Sequence, residues 1–401
     1  MPRRQFRIVV PVALTVLLMG AGCASNADEQ TGAEDTNVSD VTRNALVDHE
    51  GSARSTGLPN WATEEELAVQ RNARAPQERA EAAPEAAPAP GYRVPAEYEP
   101  VSTVVMTYAA HTAVLRGIAV AAAAADANVW MVGGPSSISG VPANRYRALS
   151  YGYDSIWSRD YGPVGINEVT RKLGIIDTTY RHYATRRNDD AMSCKLASAL
   201  SAECHTTNLI LDGGNYMTDG RGNAFLSKRV YDWNSSLSKA TVDGLLKSYL
   251  GATTIHILDY AASSGGSPAD GTGHIDMFAK LVGDCKVIVA QATTEPFRSV
   301  TDKAAAYFAN LSCGTGRYTV TRVKGWQSGG TWYTYTNSLI VNNTAIIPFY
   351  NNTAENDAAT RAYKAALPGY TVVGVNSEGP IVQGGSIHCI TKEIPTVAAA
   401  L

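Results

Sequence analysis

The amino-acid sequence predicts an α/β fold, and three observations carry that expectation. From Val94 onward, short β-branched runs alternate with stretches of helical composition in units of roughly 40–60 residues, the pattern of packed strand and helix layers. Two Gly pairs, in Asp212-Gly213-Gly214-Asn215 and Gln383-Gly384-Gly385-Ser386, each precede a strand-like run and hint at a repeated module. Glycine at a strand end permits positive φ or close backbone approach. The chain before Val94 lacks a sustained apolar period, so the predicted core lies within 94–401.

Residues 1–22 read as an export address. Arg3, Arg4 and Arg7 precede an apolar run from Ile8 to Met19, too short for a permanent membrane span and of the length of a signal-peptide core. Met19-Gly20-Ala21-Gly22 before Cys23 resembles a bacterial lipobox, which implies cleavage there and lipidation of Cys23. The alternative is an ordinary secretory signal cut nearby; either predicts export, and the first adds a membrane anchor facing the periplasm or the cell exterior. Residues 23–93 are rich in Ala, Pro and Glu and read as a flexible tether, with one short helix around Trp61 and Glu64–Leu67.

Within 94–401, Thr103–Tyr108 reads as a strand, Val114–Ala125 as a helix and Asn128–Gly133 as a second strand. Leu173–Thr179 is strand-like, Asp190–Leu200 helical, and Leu209–Leu211 ends a strand at Asp212. Ser238–Leu250 reads as a helix before the strand Thr254–Leu258, and Ile275–Leu281 and Lys286–Ala290 as strands before a helix at Asp302–Asn310. Ser338–Pro348 alternates as a hairpin around Asn342-Asn343, residues that tolerate left-handed turns. Ala358–Leu367 is a further helix, and Thr371–Val375 and Ile387–Thr391 are late strands.

A formal charge of −3 with no Lys/Arg block after the signal argues against a nucleic-acid partner. Six cysteines are present. If Cys23 is acylated, five remain in an oxidising compartment, and an odd number leaves one thiol unpaired. Spacing does not fix connectivity; pairing Cys194 with Cys204 and Cys285 with Cys313 would leave Cys389 free.

Reactive side chains concentrate in four segments: Trp157-Ser158-Arg159-Asp160-Tyr161-Gly162-Pro163, Asp212-Gly213-Gly214-Asn215, Gly273-His274-Ile275-Asp276 and Gly384-Gly385-Ser386-Ile387-His388-Cys389. On a strand, His274 and Asp276 would share a face, giving an acid/base imidazole beside a fixed negative charge. A cysteine such as Cys389 is commonly a small buried hydrophobe, but in cationic surroundings its thiolate is a strong nucleophile. On the same strand logic His388 would point away, as a structural residue. Trp157 offers an aromatic face and Asp160 a carboxylate, both suited to a planar guanidinium, although a tryptophan near an aspartate serves core and turn equally well.

Together these segments resemble the guanidino-group-modifying superfamily, in the branch of agmatine deiminases and bacterial peptidylarginine deiminases. The matching motifs are W-x-R-D-x-G-P at Trp157–Pro163, G-H-[IV]-D at Gly273–Asp276 and G-G-x-I-H-C at Gly384–Cys389. Thr336-Asn337-Ser338 and Gly213-Gly214-Asn215-Tyr216 match as well. The resemblance implies a pentein fold, five ββαβ-type modules about a pseudo-fivefold axis with the site at its centre.

By that resemblance Cys389 attacks the guanidinium carbon, Asp160 and Asp276 hold its nitrogens, and His274 protonates the departing ammonia and then activates water. Trp157, Asp212, Asn337 and Arg186 become substrate contacts, and neither a metal nor an organic cofactor is expected. Export favours arginine in peptides or proteins as substrate. Agmatine or free arginine is the alternative, with Asp212 in the place of the agmatine enzymes' acidic residue. Arg186 is the best positional match for an arginine that holds a C-terminal carboxylate. A thiol protease, opposed by two carboxylates beside the thiolate, and a non-catalytic arginine-binding lipoprotein are the readings from other classes.

Overall fold

Among the described residues one unit recurs five times: an antiparallel pair of strands, a helix, and a third strand parallel to the second. The computed structural model describes residues 57–72 and 86–397. Module two comprises Val164–Asn167, Leu173–Thr179, the helix Met192–Leu200 and Glu203–Ile210. Module three runs through Met217–Thr218, Asn223–Ser227, the helix Lys239–Leu250 and Thr254–Leu258. Module four is Ala279–Gly283, Lys286–Gln291, the helix Phe297–Asn310 and Thr319–Ser328, with Thr331–Thr334 added at its edge. Module five is Leu339–Val341, Thr344–Phe349, the helix Thr353–Ala366 and Thr371–Asn376.

Module one is assembled from both ends of the domain. The late strand Lys392–Pro395 pairs antiparallel with Val101–Thr107, which after the helix Thr112–Ala124 continues parallel to Asn128–Val132. The ring closes through that pairing, and the arrangement is the pentein fold.

Local sequence explains the elements. Central strands such as Lys286–Gln291 and Thr344–Phe349 are apolar runs buried along nearly their whole length, as strands covered on both faces are. The helix Lys239–Leu250 starts where the Ser238 side chain accepts from the Thr241 amide and stops at Gly251 in the left-handed region. The Asn342-Asn343 hairpin forms as expected, with Asn342 at φ 50°. Cys194–Cys204 and Cys285–Cys313 are disulfides, and Cys389 is a free, buried cysteine.

Three expectations are corrected. Ile387–Thr391 is a turn, and the last strand starts at Lys392; Ile275–Met277 is one turn of 3-10 helix, and its strand starts at Ala279. Residues 23–93 are not a tether throughout. Arg93 bridges to Asn167, and the segment from Gly57 to the helix Glu64–Asn72 lies against the domain, with Asn60 fully buried. The short helix starts at a reciprocal cap of Thr63 and Glu66, each side chain accepting the other's amide at 3.3 and 2.9 Å. The signal segment and Cys23 lie outside the described residues, among which no helix is long and apolar enough to cross a membrane.

Candidate active site

Each module contributes the segment immediately before its first strand. These are Trp157–Tyr161, Asp212–Asn215, His274–Met277, Thr336–Ser338 and Ser386–Cys389. Most are single turns of helix: Ser158–Tyr161, Gly213–Asn215 and Ile275–Met277. A turn at that point lifts side chains off the sheet and aims them toward the ring's centre, and His274 and Asp276 meet the other segments by this turn rather than as neighbours on a strand.

The backbone must come close for this to work. A Cβ on Gly214 would lie 2.5 Å from His274 Nδ1 and 2.8 Å from Asp160 Oδ1. One on Gly385 would lie 2.6 Å from Cys389 Sγ and 2.9 Å from the Trp157 ring. These are the glycines of the two repeated pairs, and their role here is close approach.

Cys389 is completely buried, with its sulfur 3.2 Å from the Asn337 amide nitrogen, which donates to it, and 3.6 Å from Asp276 Oδ2. Asn337 also donates to Asp276 Oδ2 at 3.0 Å, while its carbonyl oxygen accepts the amides of Ser386 and Cys389 at 2.9 and 3.3 Å. It therefore clamps the cysteine turn and faces the thiol. Burial, and then the charges of Asp276 and Asp160, push the Cys389 thiol well above its usual range.

Asp160 accepts the Gly214 amide at 3.0 Å through Oδ1, and its Oδ2 has no hydrogen-bond partner. Burial, with Asp212 and Asp276 nearby, raises its carboxyl to about 6 against the pull of His274 and Arg181. Asp276 likewise has one buried oxygen, Oδ1, without a partner. Burial pushes its carboxyl up, but His388, 2.6 Å from Oδ2, overcomes that and holds it below the ordinary value. His274 Nε2 is 3.2 Å from Asp212 Oδ2, and Nδ1 is 3.6 Å from Asp160 Oδ1. Burial disfavours its charged form, yet the two aspartates outweigh burial and the ring titrates above its usual value. The Trp233 ring stands edge-on to it with centroids 5.7 Å apart.

Two expected contacts are differently employed. Asp212 is taken by Arg181, whose Nε lies 2.8 Å from Oδ2 and whose amide donates to Oδ1 at 3.1 Å, and by His274. Arg186 is buried and holds Glu66 in a two-pronged ion pair, Nε to Oε1 at 2.7 Å and Nη2 to Oε2 at 2.9 Å. Trp157 is buried beside Cys389, its ring nitrogen donating to the Leu58 carbonyl at 2.9 Å. Sequence reasoning missed Glu97, and it misplaced His388, whose Nδ1 faces Asp276 and whose Nε2 lies 2.7 Å from Glu97 Oε2. No motif marks Glu97; only the tertiary fold brings it to His388.

Asp160, Asp212 and His274 also present ligand atoms within 4.8 Å of one another, close enough to hold a divalent cation. The Arg181 guanidinium on Asp212 opposes a second positive charge there. A planar organic cation between Asp160 and Asp276 instead meets two free carboxylate oxygens and the thiol.

Known proteins resemble this chain over most of its length. A protein of Photobacterium profundum named "Putative agmatine deiminase" is 26% identical over 361 residues, covering 77% of this chain and 97% of the relative. The solved agmatine deiminase of Enterococcus faecalis superposes with a TM-score of 0.66 at 20% identity, covering 81% of this chain and 99% of that one. That of C. jejuni gives 0.62 at 20%, covering 77% and 98%; both likenesses are of fold. The model of the Porphyromonas-type peptidyl-arginine deiminase family matches residues 93–395. The chain belongs to that family, as a guanidine deiminase that hydrolyses amidine C–N bonds.

Proposed function

We propose that this deiminase converts a small guanidine, agmatine or free arginine, to its ureido product and ammonia through a covalent adduct on Cys389. One observation carries the chemistry: a free thiol flanked by two buried carboxylates, Asp160 and Asp276, each with an oxygen lacking a partner. Buried polar atoms are rarely left unpaired, and a guanidinium supplies planar N–H donors to both. Its positive charge offsets the two anions that hold the thiol up, so substrate promotes its own nucleophile. Cys389 Sγ then bonds to the central carbon, giving a tetrahedral adduct. His274 donates a proton to the departing ammonia, leaving a thiouronium. It next takes a proton from water, which adds to the same carbon and displaces the thiolate.

The name of the relative from Photobacterium profundum supports agmatine as substrate, and this changes the order expected from export alone. Arginine in peptides is the second reading, favoured by side chains around the site that hold an extended stretch of main chain, described below. Export remains part of the proposal, supported by two disulfides in the domain; the lipid anchor on Cys23 rests on the lipobox-like run before it. Incubation with agmatine, free arginine and peptides bearing internal or C-terminal arginine, read by ammonia release and mass, tests the activity and the substrate order. Turnover of peptides alone would reverse the substrate order, and turnover of none would end the reading.

A further inference from the structure

We infer that residues 57–66 are a strap that fills the mouth of the active site and must lift before substrate enters. The deiminase reading supplies what the mouth admits; the closure is a matter of geometry.

The strap is held by its main chain. Gln383 Nε2 donates to the Gly57 carbonyl at 3.3 Å, Trp157 Nε1 to Leu58 at 2.9 Å, and Arg186 Nη2 to Pro59 and Trp61 at 2.9 and 3.1 Å. The Asn60 carbonyl meets His182 Nε2 at 3.0 Å and Arg181 Nη2, and the Asn60 amide donates to the Gln383 carbonyl at 2.7 Å. Five consecutive carbonyls are thus held by donors of the domain, the way a groove receives an extended peptide irrespective of its side chains.

Two further features seat it. Glu66 is clamped by both prongs of Arg186. Trp61 lies so close over Gly271 and Gly384 that a Cβ on either would sit 2.6 or 3.0 Å from its ring.

Its position is the entrance. Trp157, which carries Leu58, borders Cys389; Arg181, which carries Asn60, is bonded to Asp212, and Asp212 to His274. Under it Trp157, Asp160, Asp212, His274, Asp276 and Cys389 are each at most 1% exposed. The strap belongs to none of the five modules, so its release breaks the bonds above without opening a sheet. Lifting it bares the Arg186 cation and the donors around it, where a substrate's main chain or carboxylate takes their place.

The test uses full-length protein carrying Glu66→Gln or, separately, Asn60→Ala. Two readouts are taken: the rate at which a small neutral haloacetamide alkylates Cys389, followed by mass, and kcat and KM for ammonia release. Loss of the charge-assisted pair favours opening by about tenfold, so E66Q is expected to accelerate alkylation and lower KM by that factor with kcat unchanged. A synthetic peptide of residues 57–72 should slow both again. Alkylation unchanged or slower in both variants, or a raised KM, overturns the strap and makes the segment a fixed wall of the pocket. Alkylation needs no turnover, so accelerated alkylation with no ammonia from any guanidine upholds the strap and sinks the deiminase reading instead.

Discussion

His388 Nδ1 lies 2.6 Å from Asp276 Oδ2, and it is this contact that keeps a fully buried carboxyl ionised next to the thiol. Its other nitrogen meets Glu97, which is itself ion-paired to Lys280, so the ring is fixed at both ends. Replacing His388 with Ala leaves burial and the neighbouring anions to raise Asp276. The expected result is a loss in kcat/KM of about tenfold or more, with the acidic limb of its pH profile displaced to higher pH. A profile that falls in height without moving would show that His388 serves packing alone.

Asp160 carries opposite consequences for activity and stability. Its carboxyl titrates at about 6 in the folded chain, against about 4 when unfolded. Folding therefore favours its protonated form: the associated stability is fully present below about pH 4 and is lost as pH rises through 6. Activity needs the ionised form and should fall below pH 6. Asp160→Asn should abolish turnover and yet raise the melting temperature by roughly a few degrees at pH 8, with little change near pH 4. Thermal scans of both proteins at the two pH values decide this.

Cys389→Ala should lower kcat by about a thousandfold or more while the protein still binds guanidines and melts close to the parent. In the parent, a cationic haloacetamidine should alkylate Cys389 far faster than the neutral haloacetamide of equal size, because its charge offsets Asp160 and Asp276. Equal rates would remove the substrate-assisted step.

Gly385→Ala places a methyl 2.6 Å from the Cys389 sulfur and 2.5 Å from its Cβ. Since neither the cysteine turn nor Trp157 has free space, the expected cost is about 1–3 kcal/mol of stability and nearly all activity. Denaturant titration alongside ammonia assays checks both.

Reduction should destabilise the domain without touching the site. The disulfides span 10 and 28 residues, and loop-closure entropy assigns them about 3 and 3.5 kcal/mol. Denatured, unreduced protein should show one titratable thiol if Cys23 is lipidated and two if it is not. Three or more would mean that a disulfide is absent.

Some of this was decided by the sequence alone. Periodicity and turn residues specify helices and hairpins locally, so the helix Ser238–Leu250 and the Asn342 turn are legible at their own positions. Short motifs with unusual side chains, such as Trp157–Asp160 and His274–Asp276, marked the chemistry, and the odd cysteine marked the thiol.

What the sequence misjudged depends on partners remote along the chain. A strand at Ile387–Thr391 would turn His388 away, but the chain makes a turn there, and Glu97, 291 residues away, gives no local sign of being its partner. Arg186 is paired with Glu66, 120 residues away, a partner that no local motif marks. The composition of 23–93 predicts a tether with one short helix around Trp61, because it cannot bury enough apolar surface alone; the stretch is held by donors that the domain supplies. Local energetics are written in neighbouring residues, whereas the pairing of buried charges and main-chain carbonyls is settled only when ring closure brings distant segments together.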